Sequence, residues 1–160
     1  MHRAAPCRSV PVTSTLDRME EVATEVRLLR GPDVIHGRFR AWEPQPDDYQ
    51  VEVVFEGRRI GGSGEDYFEA LLVARRNLES EGLLICLAGA QRDVWPSPMA
   101  RSMGPALNAY RMTLGQQART EDLVYIFAES ETPASVREQE GYRDAWFESL
   151  GSSGPSGAAI

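Results

Sequence analysis

Residues 35–43 (IHGRFRAWE) and 49–56 (YQVEVVFE) alternate between two side-chain classes, and that pattern leaves little choice but β structure. A period of two puts Phe39 and Ala41 on one face of the first run and His36, Arg38, Arg40 and Trp42 on the other. In the second run Val51, Val53 and Phe55 oppose Glu52, Val54 and Glu56. Successive side chains point to opposite faces of a strand, so each run reads as a strand with a single core-facing side. Between them lies Pro44-Gln45-Pro46-Asp47-Asp48, a string of turn formers, and the whole predicts a β-hairpin. Glu56-Gly57 turns into a short third strand at 58–61. Upstream, residues 24–30 (TEVRLLR) suit either a strand or a short helical turn and stop at Gly31-Pro32-Asp33.

The period then changes to that of a helix. From Glu65 to Glu81 the apolar set Tyr67, Phe68, Ala70, Leu71, Ala74 and Leu78 falls on one side at 100° per residue. Ser63 with an acid three residues on resembles a capping box, and Glu65 and Asp66 suit the helix dipole. Gly82 is placed to close the helix in a left-handed conformation. Residues 83–87 (LLICL) are apolar on both faces and predict a central, covered strand. Residues 109–114 (AYRMTL) alternate, with Tyr110, Met112 and Leu114 sharing a face, until Gly115 breaks the run. Residues 122–128 (DLVYIFA) predict a second buried strand. Thr132-Pro133 opens a last helix carrying Tyr142, Trp146 and Leu150 at i, i+4 and i+8. Strands, helix, strands and helix in that order predict an α+β domain of two layers: a mostly antiparallel or mixed sheet with two main helices packed on one face. Residues 23–150 make that single domain, with 1–22 a disordered arm or over-called start (Met19 opens the more regular pattern) and 151–160 a small-residue tail.

Composition removes several chemistries. The net charge is −7, which argues against nucleic acid as a partner and is compatible with a basic protein partner. All 17 basic residues are arginine, so no lysine base, Schiff-base lysine or phosphate-loop lysine exists. The longest apolar run is too short to span a bilayer, so no membrane association is expected. Two cysteines, Cys7 and Cys86, form no framework; with no secretory leader pattern, this points to a reducing, cytoplasmic setting.

No metal and no cofactor is expected. His2, His36, Cys7 and Cys86 do not stand at ligand spacing. Cys86 sits in an apolar run and reads as a core thiol, and nothing local brings His36 to it. Gly61-Gly62-Ser63-Gly64 before a helix has the look of a phosphate cradle, but Glu65-Asp66 place negative charge where the anion would lie, so a flexible strand-to-helix turn is expected. The acid pairs Asp47/Asp48 and Glu138/Glu140 read as solvated surface.

One segment remains. Residues 91–108 (QRDVWPSPMARSMGPALN) form 18 residues between two strand-like runs, and loops beyond roughly 12–15 residues in a compact domain are often functional. Trp95, Met99 and Met103 can pack or dock, and Arg92, Arg101, Ser97 and Ser102 are donors. Pro96, Pro98 and Pro105 stiffen the stretch, and Gly104 is free to take a backbone conformation closed to other residues. Rigid aromatic, methionine and arginine groups are what interface centres favour. The alternative is a self-packed Ω-type loop that only caps the sheet.

Gly64, Asp66, Phe68, Ala70-Leu71 and Arg75, then Cys86, Gly89-Ala90, Pro96-Ser97, Met99, Arg101-Ser102-Met103-Gly104 and Ala109-Tyr110 form a pattern that resembles a family of small uncharacterised bacterial proteins. Such proteins in turn resemble the immunity partners of bacterial polymorphic toxins. The resemblance implies a non-enzymatic interaction protein that neutralises a toxin, and it transfers no catalytic residue. The binding set expected from the segment is Arg92, Trp95, Ser97, Met99, Arg101, Ser102, Met103, Gly104 and Tyr110. A small-molecule or anion-binding module using 91–108 is the alternative, with Trp95 and Tyr110 as walls. An enzyme with an unfamiliar site at Cys86 or His36 is the third reading.

Overall fold

The computed structural model describes residues 22–151. The arm and tail expected at the two ends lie outside that range, apart from Val22 and Gly151, the outer ends of the first strand and last helix. The fold is α+β, built on a curled antiparallel sheet of five strands ordered β4-β3-β2-β1-β5. The strands are β1 (Val22–Arg30), β2 (Asp33–Gln45), β3 (Asp48–Phe55), β4 (Arg58–Gly64) and β5 (Leu84–Ile85). The residues left open at 24–30 are therefore strand. The expected hairpin is β2–β3, in register Phe39↔Val53 and Ala41↔Val51. Its turn falls at Pro46 and Asp47, with Asp47 at φ 63°. Phe39, Ala41, Val51, Val53 and Phe55 are all buried, as the alternation requires.

Helix α1 (Tyr67–Glu79) lies across β4, β3 and β5 and buries Tyr67, Phe68, Ala70, Leu71, Leu72, Ala74 and Leu78. Its cap is Asp66, whose Oδ1 accepts from the Glu69 N–H at 2.7 Å, rather than Ser63. The reason is register: β4 stays paired with β3 through Tyr49↔Gly64, which holds Ser63 extended. The glycine run 61–64 is thus strand and not a flexible turn. A Cβ on Gly62 would lie 2.5 Å from both the Ala70 carbonyl oxygen and the Ala74 nitrogen, so glycine here lets helix backbone rest directly on the strand. Gly82, at φ +77°, ends the helix as expected.

The run 83–87 is not a central strand. Only Leu84–Ile85 joins the five-stranded sheet, at its edge beside β1, while Leu87 makes a single bridge to Glu129. Its outer side is covered by residues 126–130, through Ala88 N–H to Ala128 O (2.8 Å), Gly89 N–H to Ile126 O (2.8 Å) and Ser130 N–H to Cys86 O (3.0 Å). That cover explains why both faces are apolar.

A second, three-stranded sheet is formed by β6 (Val94–Trp95), β7 (Asn108–Arg111) and β8 (Leu123–Tyr125), in order β6-β7-β8. The strand expected at 109–114 ends at Arg111, where the alternation breaks: Ala109 and Met112 both go inward, and Leu114 is exposed. β8 is an edge strand with exposed Leu123 and Tyr125, and the buried residues of that run, Ile126 and Phe127, follow it. Between β6 and β7 sits the short helix α2 (Pro98–Met103). The last helix, α3 (Val136–Gly151), packs on α1 and β6. It starts after Thr132-Pro133 because the bridge Gln91↔Pro133 and the bond from Ala134 N–H to Ala90 O (2.8 Å) keep that stretch extended.

Candidate functional site

Two buried polar side chains position the segment 91–108. Arg75 of α1 is 1% exposed and Gln139 of α3 is 0% exposed. The Arg75 guanidinium donates to the Gln139 side-chain carbonyl oxygen and to Ala134 O (2.9 Å). The two N–H groups of the Gln139 amide are shared among the carbonyls of Gly89 (2.9 Å), Gln91 (2.9 Å) and Val94 (2.7 Å), so one amide ties down the chain entering β6. Burial lowers the Arg75 pKa to about 10, which still leaves the group charged at neutral pH. Glu79 lies 3.8 Å from the guanidinium and accepts from the Val136 N–H at 2.9 Å, which joins the end of α1 to the start of α3. Burial pushes the Glu79 carboxyl above its ordinary value.

The segment itself is structured, not a bare loop. Ser97 caps α2, its Oγ accepting from the Ala100 N–H at 3.0 Å, and Pro98 occupies the first turn, where a missing N–H costs nothing. Arg101 reaches back to Asp66 (3.2 Å) and Glu69 (2.6 Å), which fastens α2 to the start of α1. The Tyr67 N–H donates to Pro105 O at 2.8 Å. Arg111 makes paired bonds to Asp93 at 2.9 and 3.0 Å, which staples β7 to the entry of β6. Gly104 is extended (φ −161°), a conformation open to any residue; the left-handed residue here is Ala106 at φ 57°.

The small sheet presents apolar side chains on both faces. Register places Trp95, Tyr110 and Leu123 side by side across the three strands, with Val94, Ala109 and Val124 on the opposite, core-facing side. An outward face would ordinarily be polar. Instead Trp95 and Tyr110 are half-buried and Leu123 is exposed. α2 adds Met99 and Met103, 68% and 80% exposed, and α3 adds Phe147, 51% exposed. Two apolar hollows share Tyr110 and Ser97 as their common wall. One continues over Met99, Met103 and Leu123. The other runs between Trp95, Met112, Trp146 and Phe147.

Of the expected binding residues, Trp95, Ser97, Met99, Met103, Gly104 and Tyr110 come together around these hollows. The donors do not converge. Arg92 stacks over Tyr142 at 4.8 Å, Arg101 is held by two carboxylates, and the Ser102 hydroxyl donates to Met99 O within its own helix (3.4 Å). Arg143 covers the Trp95 ring at 4.5 Å. Leu123, Met112, Trp146 and Phe147 complete the face from outside the segment. Trp146, Met112 and Leu123 carried a sequence signal as members of apolar runs, and Phe147 carried none.

Cys86 is buried and desolvation raises its thiol pKa. Its N–H bonds to Arg27 O, and Arg27 pairs with His36, so β1 lies between the two backbones, roughly 9–10 Å apart at the usual interstrand spacing, and the thiol is buried while the imidazole is exposed. No dyad forms in that arrangement. Among the described residues no cluster of three or more His, Cys, Asp or Glu could hold a metal ion, and no helix is long and apolar enough to cross a membrane.

No protein-family model and no curated protein matches the chain.

Proposed function

We propose that this chain is a non-enzymatic docking protein whose recognition face is the outward side of the small sheet together with α2, and whose partner is a basic protein. One observation carries the reading. Trp95, Tyr110 and Leu123 line up on one face of the small sheet, running from Trp95, which packs against the core at Phe68 (4.9 Å between ring centroids), to exposed Leu123, and Met99, Met103 and Phe147 extend that apolar surface into water. Exposed apolar patches with aromatic and methionine centres mark contact sites. The scaffold beneath is tied by Arg75, Gln139, Arg101 and Arg111, so little ordering cost falls on binding.

The charge around the patch supports a basic partner. Glu65 and Glu69 stand beside Arg101 at the start of α1, and Glu121 and Asp122, which pair with Arg119, directly precede Leu123. With the net charge of −7, a cationic surface is steered toward the face. In the immunity reading that partner is a toxin encoded beside this chain. Co-expression of the two, followed by size-exclusion chromatography, tests this. A one-to-one complex that weakens with salt, together with relief of the partner's toxicity, supports the reading. A native host that yields no stoichiometric partner rejects it.

A further inference from the structure

We infer that the hollow between β6, β7 and α3 is a binding site for one neutral aromatic ring. This goes beyond the docking reading and does not depend on it. The hollow, open to solvent on one side, offers about 130 Å³. That is far below the roughly 300–1,000 Å³ of a drug-sized site. It is close to the about 150 Å³ apolar cavity that takes up benzene in another protein. Size therefore limits the occupant to about the bulk of a single ring or an indole.

The lining selects its chemistry. Trp95, Pro96, Tyr110, Met112, Trp146 and Phe147 supply flat or polarisable walls, and no charged side chain takes part. The polar handle of Trp146 is already used, its indole N–H donating to Gln116 O at 2.9 Å, so it offers ring surface. The Tyr142 hydroxyl donates to Met112 O at 3.2 Å and holds that wall in place. A carboxylate entering here would lose its water against the negative faces of the rings, with no charged donor in the lining to replace it. A neutral ring would gain offset or edge-on contacts with the aromatic walls and sulfur contact with Met112.

The test uses the full chain with toluene and indole as probes and benzoate as the charged counterpart. Ligand-observed NMR and thermal melting read binding. Toluene and indole are expected to bind saturably with dissociation constants on the order of 1 mM. At fivefold that concentration the melting temperature should rise by about 3 °C. Benzoate should bind at least about tenfold more weakly. Ala118→Phe, which fills the hollow from its rim, should abolish binding. Phe147→Ser, which removes a half-exposed wall that packs on Trp146 (5.0 Å between ring centroids), should weaken it several-fold. Met103→Glu, in the neighbouring hollow, should leave it unchanged. Absence of saturable toluene and indole binding overturns the assignment. So does equal binding of benzoate, equal binding by Phe147→Ser, or loss of binding in Met103→Glu.

Discussion

Arg75 on α1 and Gln139 on α3, 64 positions apart, share one hydrogen bond in the interior, and through it the two main helices grip the chain that enters the recognition face. Between them they engage the carbonyls of Gly89, Gln91, Val94 and Ala134. Removing either partner strands buried polar groups. Gln139→Leu and Arg75→Met should each cost about 3 kcal/mol, and the double variant should cost about 1–3 kcal/mol less than their sum. Urea unfolding of the four proteins gives this cycle directly. Amide exchange at Ala134 and Met112 should quicken in Gln139→Leu while β2 and β3 stay protected.

Glycine plays opposite parts at two positions. Gly62→Ala drives a Cβ to 2.5 Å from helix backbone that cannot move aside, and should cost at least about 2 kcal/mol. Gly141 lies inside α3, and a Cβ added there would meet nothing within 4 Å, so Gly141→Ala should stabilise by about 0.5–1 kcal/mol. Thermal melts of the two variants should move in opposite directions.

Cys86 should be chemically silent. It is 2% exposed and its thiol is held protonated by desolvation. In a full-length Cys7→Ser protein, a thiol reagent should label Cys86 about a hundredfold faster after denaturation than before. Rapid labelling of the folded protein would reopen a catalytic reading for this residue.

Elements with clear periodicity were legible in the sequence. The β2–β3 hairpin and the core face of α1 follow from spacings of two and 3.6, because one side of each is buried and the other is wet. Residues 83–87 resemble a central strand in sequence because an edge covered by an irregular segment carries the same apolar pattern as a sheet interior. Ser63 lost the cap to Asp66, and Thr132-Pro133 lost the start of α3, since pairing to distant strands held both stretches extended. Segment 91–108 stood out by length and composition, but its two-residue strand and six-residue helix are too short to show a period. Gln139 is silent in the sequence because one glutamine on an otherwise ordinary helix gives no local sign that it faces three carbonyls. Phe147 is equally silent because it adjoins the apolar stripe of α3 instead of lying in it.

The docking face should be separable from stability. Met103→Glu changes a side chain that is mostly in water and should alter unfolding free energy by no more than about 0.5 kcal/mol, while Phe147→Ser, which gives up one ring contact with Trp146, should cost no more than about 1.5 kcal/mol. Equilibrium denaturation of each variant beside the unaltered protein checks this.

The most direct test is affinity capture from the native host with the unaltered chain and with the Met103→Glu/Phe147→Ser double variant, at low and high salt. The account predicts one stoichiometric basic protein held by the unaltered chain, released as salt rises, and absent from the double variant. Retention of that protein by the double variant, or recovery of no stoichiometric partner, would contradict it.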